Sequence, residues 1–293
     1  MKRQSYSLHV SKQTRALVIF GDDNQHDPDE FFEFIMTQLE DETNRNRDQK
    51  EPPLRRLLPL DLDVEADFTD IASELWAARL GGCESIVEKF FRHYSVTVQR
   101  CMGCNYRSIE FETQIRIQRS LGEDTHPTTL EALLRGDQRN TISRVDDCDG
   151  CHRTTNRQRI QSYYQLPDVL AFTLTSERYD AKRQGSFKIH RKVTWELDNF
   201  DMSEFGKAAR GKSNIYECFA VIQHLGDNTQ SGHYTSYIRS AHDNSTFMYF
   251  NDSKKPEEVK GAERRRLFGD GGFTPRMVFF RRKGSKKSPA VRI

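Results

Sequence analysis

The sequence predicts an α+β fold, with helices early and an antiparallel sheet late. Three observations carry that expectation. An acidic, proline-containing start at Asp27-Pro28-Asp29-Glu30 runs into an amphipathic segment. The stretch YRSIEFETQIRIQ alternates apolar and polar residues at period two, the signature of a half-buried strand. After residue 214, four apolar segments of strand length are separated by turn-rich loops.

The elements follow in order. Residues 31, 32, 35, 36 and 39 are apolar and share one helical face, and the acidic first turn suits a helix N-terminus. Residues 40–58 are polar with two prolines and predict a loop. SIVEKFFRHYSVTVQRC passes from a short helix into a strand, and TLEALLRG forms a second short helix. RIQSYYQLPDVLAFTLTSERY gives one or two strands interrupted at Pro167. NIYECFAVIQHLG, GHYTSYIRS, TFMYFND and RMVFFRRK are the four late strands, and KGSKKSPAVRI is a loose basic tail.

Composition bounds the function. Of 293 residues, 35% are hydrophobic and 30% charged, with net charge +2. A core is possible under a highly charged surface, and the balanced charge gives no broad nucleic-acid field. No run approaches 18 apolar residues, so no membrane span is expected. MKRQSYSLHV is basic without an apolar stretch and does not read as a secretory signal. Four of six cysteines lie in CxxC pairs. Without a secretory signal that favours reduced thiols, metal ligands and an intracellular address.

Cys101-Met102-Gly103-Cys104 and Cys148-Asp149-Gly150-Cys151 are two knuckles with glycine at the third position. Four thiolates suit a tetrahedral structural Zn2+. The 43 intervening residues (105–147) require a long hairpin to bring the pairs together. Free buried thiols or a redox pair are the alternatives. Cys83 and Cys218 stand outside the pattern, and Cys218 reads as a core thiol. A second constellation is His233 after Gly232, with Asn251 and Asp252 one strand later. Gly232 lets another backbone pass close by. Asn251 is expected to accept the imidazole Nδ1–H, and an oriented imidazole can deprotonate a thiol and later protonate a leaving amine. A structural strand histidine followed by an ordinary Asn-Asp turn is the alternative.

Six segments in order carry a resemblance. Gln25-His26-Asp27-Pro28-Asp29-Glu30-Phe31 looks like a Q-x-D-A-x-E-F box. The CxxC pairs, Leu166-Pro167-Asp168-Val169-Leu170 and Phe200-Asp201-Met202-Ser203 follow. Val221-Ile222-Gln223-His224-Leu225-Gly226 with Gly232-His233-Tyr234 looks like a VIxHxG…GHY box, and Tyr249-Phe250-Asn251-Asp252-Ser253 like an F-[DN]-D segment. Together they resemble the ubiquitin-specific proteases, papain-like cysteine deubiquitinases. The resemblance implies one catalytic domain over 1–283, with a partial thumb (1–85), zinc-bearing fingers (86–165) and an antiparallel palm sheet (166–283), then a basic tail (284–293). It implies ubiquitin and ubiquitinated proteins as partners, no membrane, no specific nucleic acid, and a place in the cytoplasm, the nucleus or both. His233 would act with a thiolate, Asn251 would fix its tautomer, and Asp252 would polarise water or shape the site. Asp27 and Glu30 would pair with arginines of the ubiquitin tail, and Gln25 would position the backbone. Gly232 and Tyr234 would line the path of the terminal glycines, and loops 206–214 and 225–232 would cover it. The family's Cys box is missing: none of the 24 residues before Gln25 is cysteine. Expected is therefore an incomplete helical thumb and a truncated, inactive form of the hydrolase. The alternative is a non-catalytic, ubiquitin-binding pseudoprotease.

Overall fold

The computed structural model describes residues 20, 26–46, 55–56, 68–104, 106–122, 124–138, 141–145, 147–180, 185–226, 232–269 and 271–284. Gln25 and the tail beyond 284 lie outside them, as does part of the expected 40–58 loop. The helices are α1 (Pro28–Thr43), α2 (Thr69–Gly82), α3 (Ile86–Phe90), α4 (Leu130–Gln138) and a 3₁₀ helix, Gly261–Phe268. The strands are β1 (Arg55–Arg56), β2 (His93–Cys101), β3 (Arg107–Gln114), β4 (Ile117–Ser120), β5 (Thr128–Thr129) and β6 (Thr141–Val145). Then come β7 (Thr155–Leu166), β8 (Val169–Thr175), β9 (Glu177–Asp180), β10 (Gly185–Lys188), β11 (Val193–Thr194) and β12 (Phe200–Asp201). The last are β13 (Gly206–Ala208), β14 (Ile215–Leu225), β15 (His233–Arg239), β16 (Phe247–Phe250), β17 (Glu257–Val259) and β18 (Phe273–Arg282).

Helix α1 begins where expected. Asp27 is extended, its carboxylate accepts the Asp29 backbone N–H at 2.8 Å, and Pro28 fills the first turn. The helix buries Phe32 and Met36 against Val87, Ile115, Ala171 and Met277. It runs on to Thr43, past the start of the expected loop. Helix α2 was not anticipated, although Asp70 in its first turn and Ile71, Leu75 and Trp76 on one side were available. YRSIEFETQIRIQ divides into β3 and β4, because the chain bends at Ile115–Arg116 and changes sheets.

Two sheets organise the molecule. The eight-stranded sheet runs β17-β16-β15-β14-β18-β8-β4, with β12 on β14. The six-stranded sheet runs β1-β3-β2-β7-β13, with β6 on β7. Most pairings are antiparallel, but β4 lies parallel to β8 and β13 parallel to β7. Strand β4 comes from the expected finger region yet belongs to the eight-stranded sheet, while β13 comes from the expected palm and belongs to the other. The main core packs Phe172, Phe200, Tyr216, Val278 and Phe280 beneath the larger sheet. A second core under the smaller sheet joins Phe68 and Ala72 to Tyr94, Val96 and Phe111.

Charge is buried at the junction of α1, α2 and α3. Glu88 binds Arg79 Nε at 2.6 Å and Arg92 Nε at 3.0 Å, and Arg92 also reaches Glu40 at 2.6 Å. The Cys83 thiol faces Glu40 at 3.4 Å. Glu40, Cys83 and Glu88 lie close enough to hold an ion. The two guanidiniums already neutralise the carboxylates, so this is an ion-pair network that pins three helices together.

His93, at 1% exposure, packs edge-on against Tyr163. Burial holds its pKa down to about 4. Between about 4 and 6.5 the unfolded chain takes up a proton that the folded chain refuses, so stability is full above 6.5 and falls as pH drops towards 4. Urea unfolding at pH 7 and pH 5 should show a loss of about 2 kcal/mol from this group. His93→Asn should lose correspondingly less on acidification. A variant with the full wild-type pH dependence would refute the assignment.

Candidate active site and thiol cluster

The β14–β15 hairpin sets Leu225 opposite His233 and His224 opposite Tyr234. β16 then pairs Phe250 with Ser236, so Asn251 leaves the strand end beside His233. His233 Nε2 and Asn251 Oδ1 are 2.8 Å apart. This corrects the expectation that Asn251 would hold Nδ1. The carboxamide arrives from the neighbouring strand's end and meets the outer, distal ring nitrogen, and Nδ1 has no hydrogen-bond partner among the described residues. Asn251 Nδ2 donates to the Tyr249 hydroxyl at 3.3 Å. Tyr249 lies on Tyr237 at 4.9 Å with the Arg266 guanidinium over its face at 4.8 Å. Asp252 sits at φ 49°, the left-handed region, and its carboxylate is 3.8 Å from His233 Nε2.

The arrangement is a base held by an amide, with one ring nitrogen open to a nucleophile. No cysteine sulfur lies within hydrogen-bonding reach of His233 among the described residues. Cys83 and Cys218 are both buried. Burial, reinforced by Glu88 and Glu40, pushes the Cys83 thiol up to about 12, and burial does the same to Cys218. Neither offers a thiolate near neutrality.

Around this pair, Gly232 has no room for a side chain: a Cβ would collide with the Leu225 carbonyl and the His224 ring. The close neighbour is thus the chain's own β14. Tyr234 lies 4.7 Å from the His224 ring, and burial, with the Asp27 charge next, raises its hydroxyl to about 12. Asp27 caps α1 and is also ion-paired to Arg276, whose guanidinium lies 3.7 Å from Glu177. Glu30 is exposed. Asp29 accepts from Thr173 Oγ1 at 2.7 Å and is ion-paired with Arg116, whose Nε lies 2.8 Å away. Residues 206–208, expected to cover the site, form β13 against β7. The 227–231 part of the other loop lies outside the described residues. The sequence reading assigned no role to Arg276, Lys188 or His224. For His224 the available signal was its place in the Val221–Gly226 segment of the VIxHxG…GHY resemblance.

The thiol cluster is separate. Strand β2 ends at Cys101, and the two knuckles flank the β2–β3 and β6–β7 turns, so Cys101, Cys104, Cys148 and Cys151 present sulfurs within 4.8 Å of one another. Backbone N–H groups of Gly103 and Gly150 donate to Cys101 and Cys148 at 3.3 and 3.4 Å. Gly150 is required because a Cβ there would run into Tyr106. Thr155 Oγ1 lies 3.1 Å from Cys101 Sγ, and that hydrogen bond leads in drawing Cys101 down to about 6. Four converging thiols with amide donors behind them fit a metal ion.

A family profile described as ubiquitin carboxyl-terminal hydrolase matches residues 7–268. Ubiquitin carboxyl-terminal hydrolase 2 of Homo sapiens is 27% identical over 242 residues, covering 78% of this chain and 37% of its own length. Ubiquitin carboxyl-terminal hydrolase 10 of Arabidopsis thaliana is 34% identical over 108 residues, covering 36% of this chain and 11% of its own. The chain therefore spans little more than a third, at most, of these relatives. A chain of the SAGA Ubp8/Sgf11/Sus1/Sgf73 DUB module bound to ubiquitin aldehyde shares the fold, with a TM-score of 0.63 at 16% identity over 92% of this chain and 52% of that one. With an α+β papain-like architecture and a profile match over most of its length, the chain belongs to the ubiquitin carboxyl-terminal hydrolase family, the ubiquitin-specific proteases.

Proposed function

We propose that the chain carries the fingers, palm and base of a thiol-dependent deubiquitinase that cleaves isopeptide bonds at the ubiquitin C-terminus, and that these 293 residues alone do not turn over. The observation supporting the chemistry is the 2.8 Å contact between His233 Nε2 and Asn251 Oδ1. With Nε2–H committed to Asn251, Nδ1 is free to take a thiol proton and return it to the leaving amine. Asp252 adds negative charge beside the imidazolium. The absence of a thiol within reach of His233 favours a second reading, a pseudoprotease that holds ubiquitin without cleaving it. A fluorogenic ubiquitin substrate run beside a ubiquitin-binding assay, with and without a thiol supplied on the Nδ1 side of His233, separates the two: turnover restored by the thiol supports the hydrolase reading, binding without restored turnover supports the pseudoprotease, and turnover by the 293 residues alone excludes both.

The metal is proposed to be zinc, held by Cys101, Cys104, Cys148 and Cys151 in a structural role, since four protein ligands leave no place for a reactive water. The partners are ubiquitin and ubiquitinated proteins. The chain is placed in a reducing intracellular compartment, cytoplasm or nucleus, in keeping with its free cysteines. Residues 1–85, 86–165 and 166–283 are proposed as thumb, fingers and palm.

The acidic residues on α1 have different expected roles. Glu30→Lys should weaken ubiquitin binding roughly tenfold, beyond the ~0–1 kcal/mol of an exposed pair, with the melting temperature unchanged. Asp27→Lys should lower affinity and also cost about 1 kcal/mol through the lost cap, more as Arg276 loses its partner. Unchanged affinity in a folded Glu30→Lys protein would leave these residues only a helix-start role.

A further inference from the structure

We propose that Lys188 is a positioning residue: its buried ammonium fixes the tautomer of His224 and thereby the seat of Gly232 and His233. The proposal draws its importance from reading His233 as the catalytic base, but its test does not depend on that reading.

Lys188 ends β10 and is 8% exposed. Its Nζ lies 3.0 Å from His224 Nδ1, 3.2 Å from the His224 carbonyl and 2.7 Å from the Gly226 carbonyl. An ammonium can only donate. His224 Nδ1 must therefore accept, and the ring proton sits on Nε2. Burial, with the Lys188 and Arg276 charges, lowers the ring to about 4, so it remains neutral.

That tautomer matters because of what the Nε2 edge touches. It occupies the space that a Cβ on Gly232 would need, and the ring lies 4.7 Å from Tyr234. Cross-strand pairing carries the position onward, with His224 opposite Tyr234 and Leu225 opposite His233. Lys188 thus grips the end of β14 at a ring nitrogen and two carbonyls, and β14 supports the first residues of β15. A buried lysine costs desolvation unless its donors are met. An apolar residue of the same length would leave the two carbonyls without this donor and the imidazole free to switch tautomer.

Long-range 1H–15N correlation spectra of the wild-type chain at pH 7 should show His224 as the Nε2–H tautomer with a hydrogen-bonded Nδ1. An Nδ1–H tautomer or an imidazolium would overturn the proposal, and this measurement needs no variant. In Lys188→Met, backbone amide exchange should accelerate roughly ten- to a hundredfold at His233 and Tyr234, with amides of β2 and β7 unchanged. Lys188→Arg should restore slow exchange in part. Uniform acceleration across both sheets, or none, would reduce Lys188 to an ordinary core residue. Should His233 prove not to be a catalytic base, the tautomer and exchange readouts would be untouched, so the two failures are distinguishable.

Discussion

Supplied with a thiol nucleophile on the Nδ1 side of the ring, the protein should lose about 10²–10⁴-fold in turnover of a fluorogenic ubiquitin substrate on His233→Ala, more if thiol and imidazole act as one unit. The melting temperature should stay close to wild type, because His233 is only partly buried and its side chain bonds outward to Asn251. Asn251→Ala should cost less, since it leaves the ring but frees its rotation. Without the added thiol, the 293 residues should form no covalent adduct with a thiol-directed ubiquitin probe. The six cysteines explain why: four face one another, and the other two are buried with thiols near 12. An adduct mapped to Cys83 or Cys218 would place the nucleophile elsewhere and overturn this account.

Removal of metal should have the larger structural effect. Metal analysis of purified protein should give close to one zinc per chain. Cys101→Ser or a strong chelator should unfold the distal end of the six-stranded sheet, where the knuckles join the β2–β3 turn to the start of β7. Structural zinc in small modules contributes an apparent ~10–16 kcal/mol at neutral pH. Among the described residues the apolar core under this sheet stops at Val98, Ile109 and Ile160, short of the knuckles, where Met102 is exposed. Metal-free protein with an unchanged melting curve would remove zinc from the fold.

What could be read in advance was what local chemistry writes into adjacent residues. Asp27, Pro28 and the spacing of Phe32 and Met36 specify a helix start and face wherever they occur. The CxxC knuckles likewise announce converging sulfurs, and His233 and Asn251 announce a paired base. What could not be read depends on partners distant in sequence. Arg276 reaches Asp27 across 249 positions, and Lys188 reaches His224 from a strand whose apolar pattern was unremarkable. The choice of Nε2 over Nδ1 follows from how two strand ends are offset, which no single segment encodes. The period-two run ending in Gln118 was read correctly as extended, but its transfer between sheets was invisible because alternation does not name a neighbour.

The crossing of β4 and β13 has a mechanical consequence. Each lies parallel to a strand of the sheet that its sequence neighbours do not join. The polypeptide is laced, like two panels each holding a tab of the other. Cutting it near residue 166 would strip a strand from both sheets and bare an unpaired row of backbone donors and acceptors on each. Force applied between the two sheets would have to shear these parallel ladders before the sheets could separate. A pull across the molecule is therefore shared by both sheets, and the thiol cluster on one and His233 on the other are tied together through these two strands.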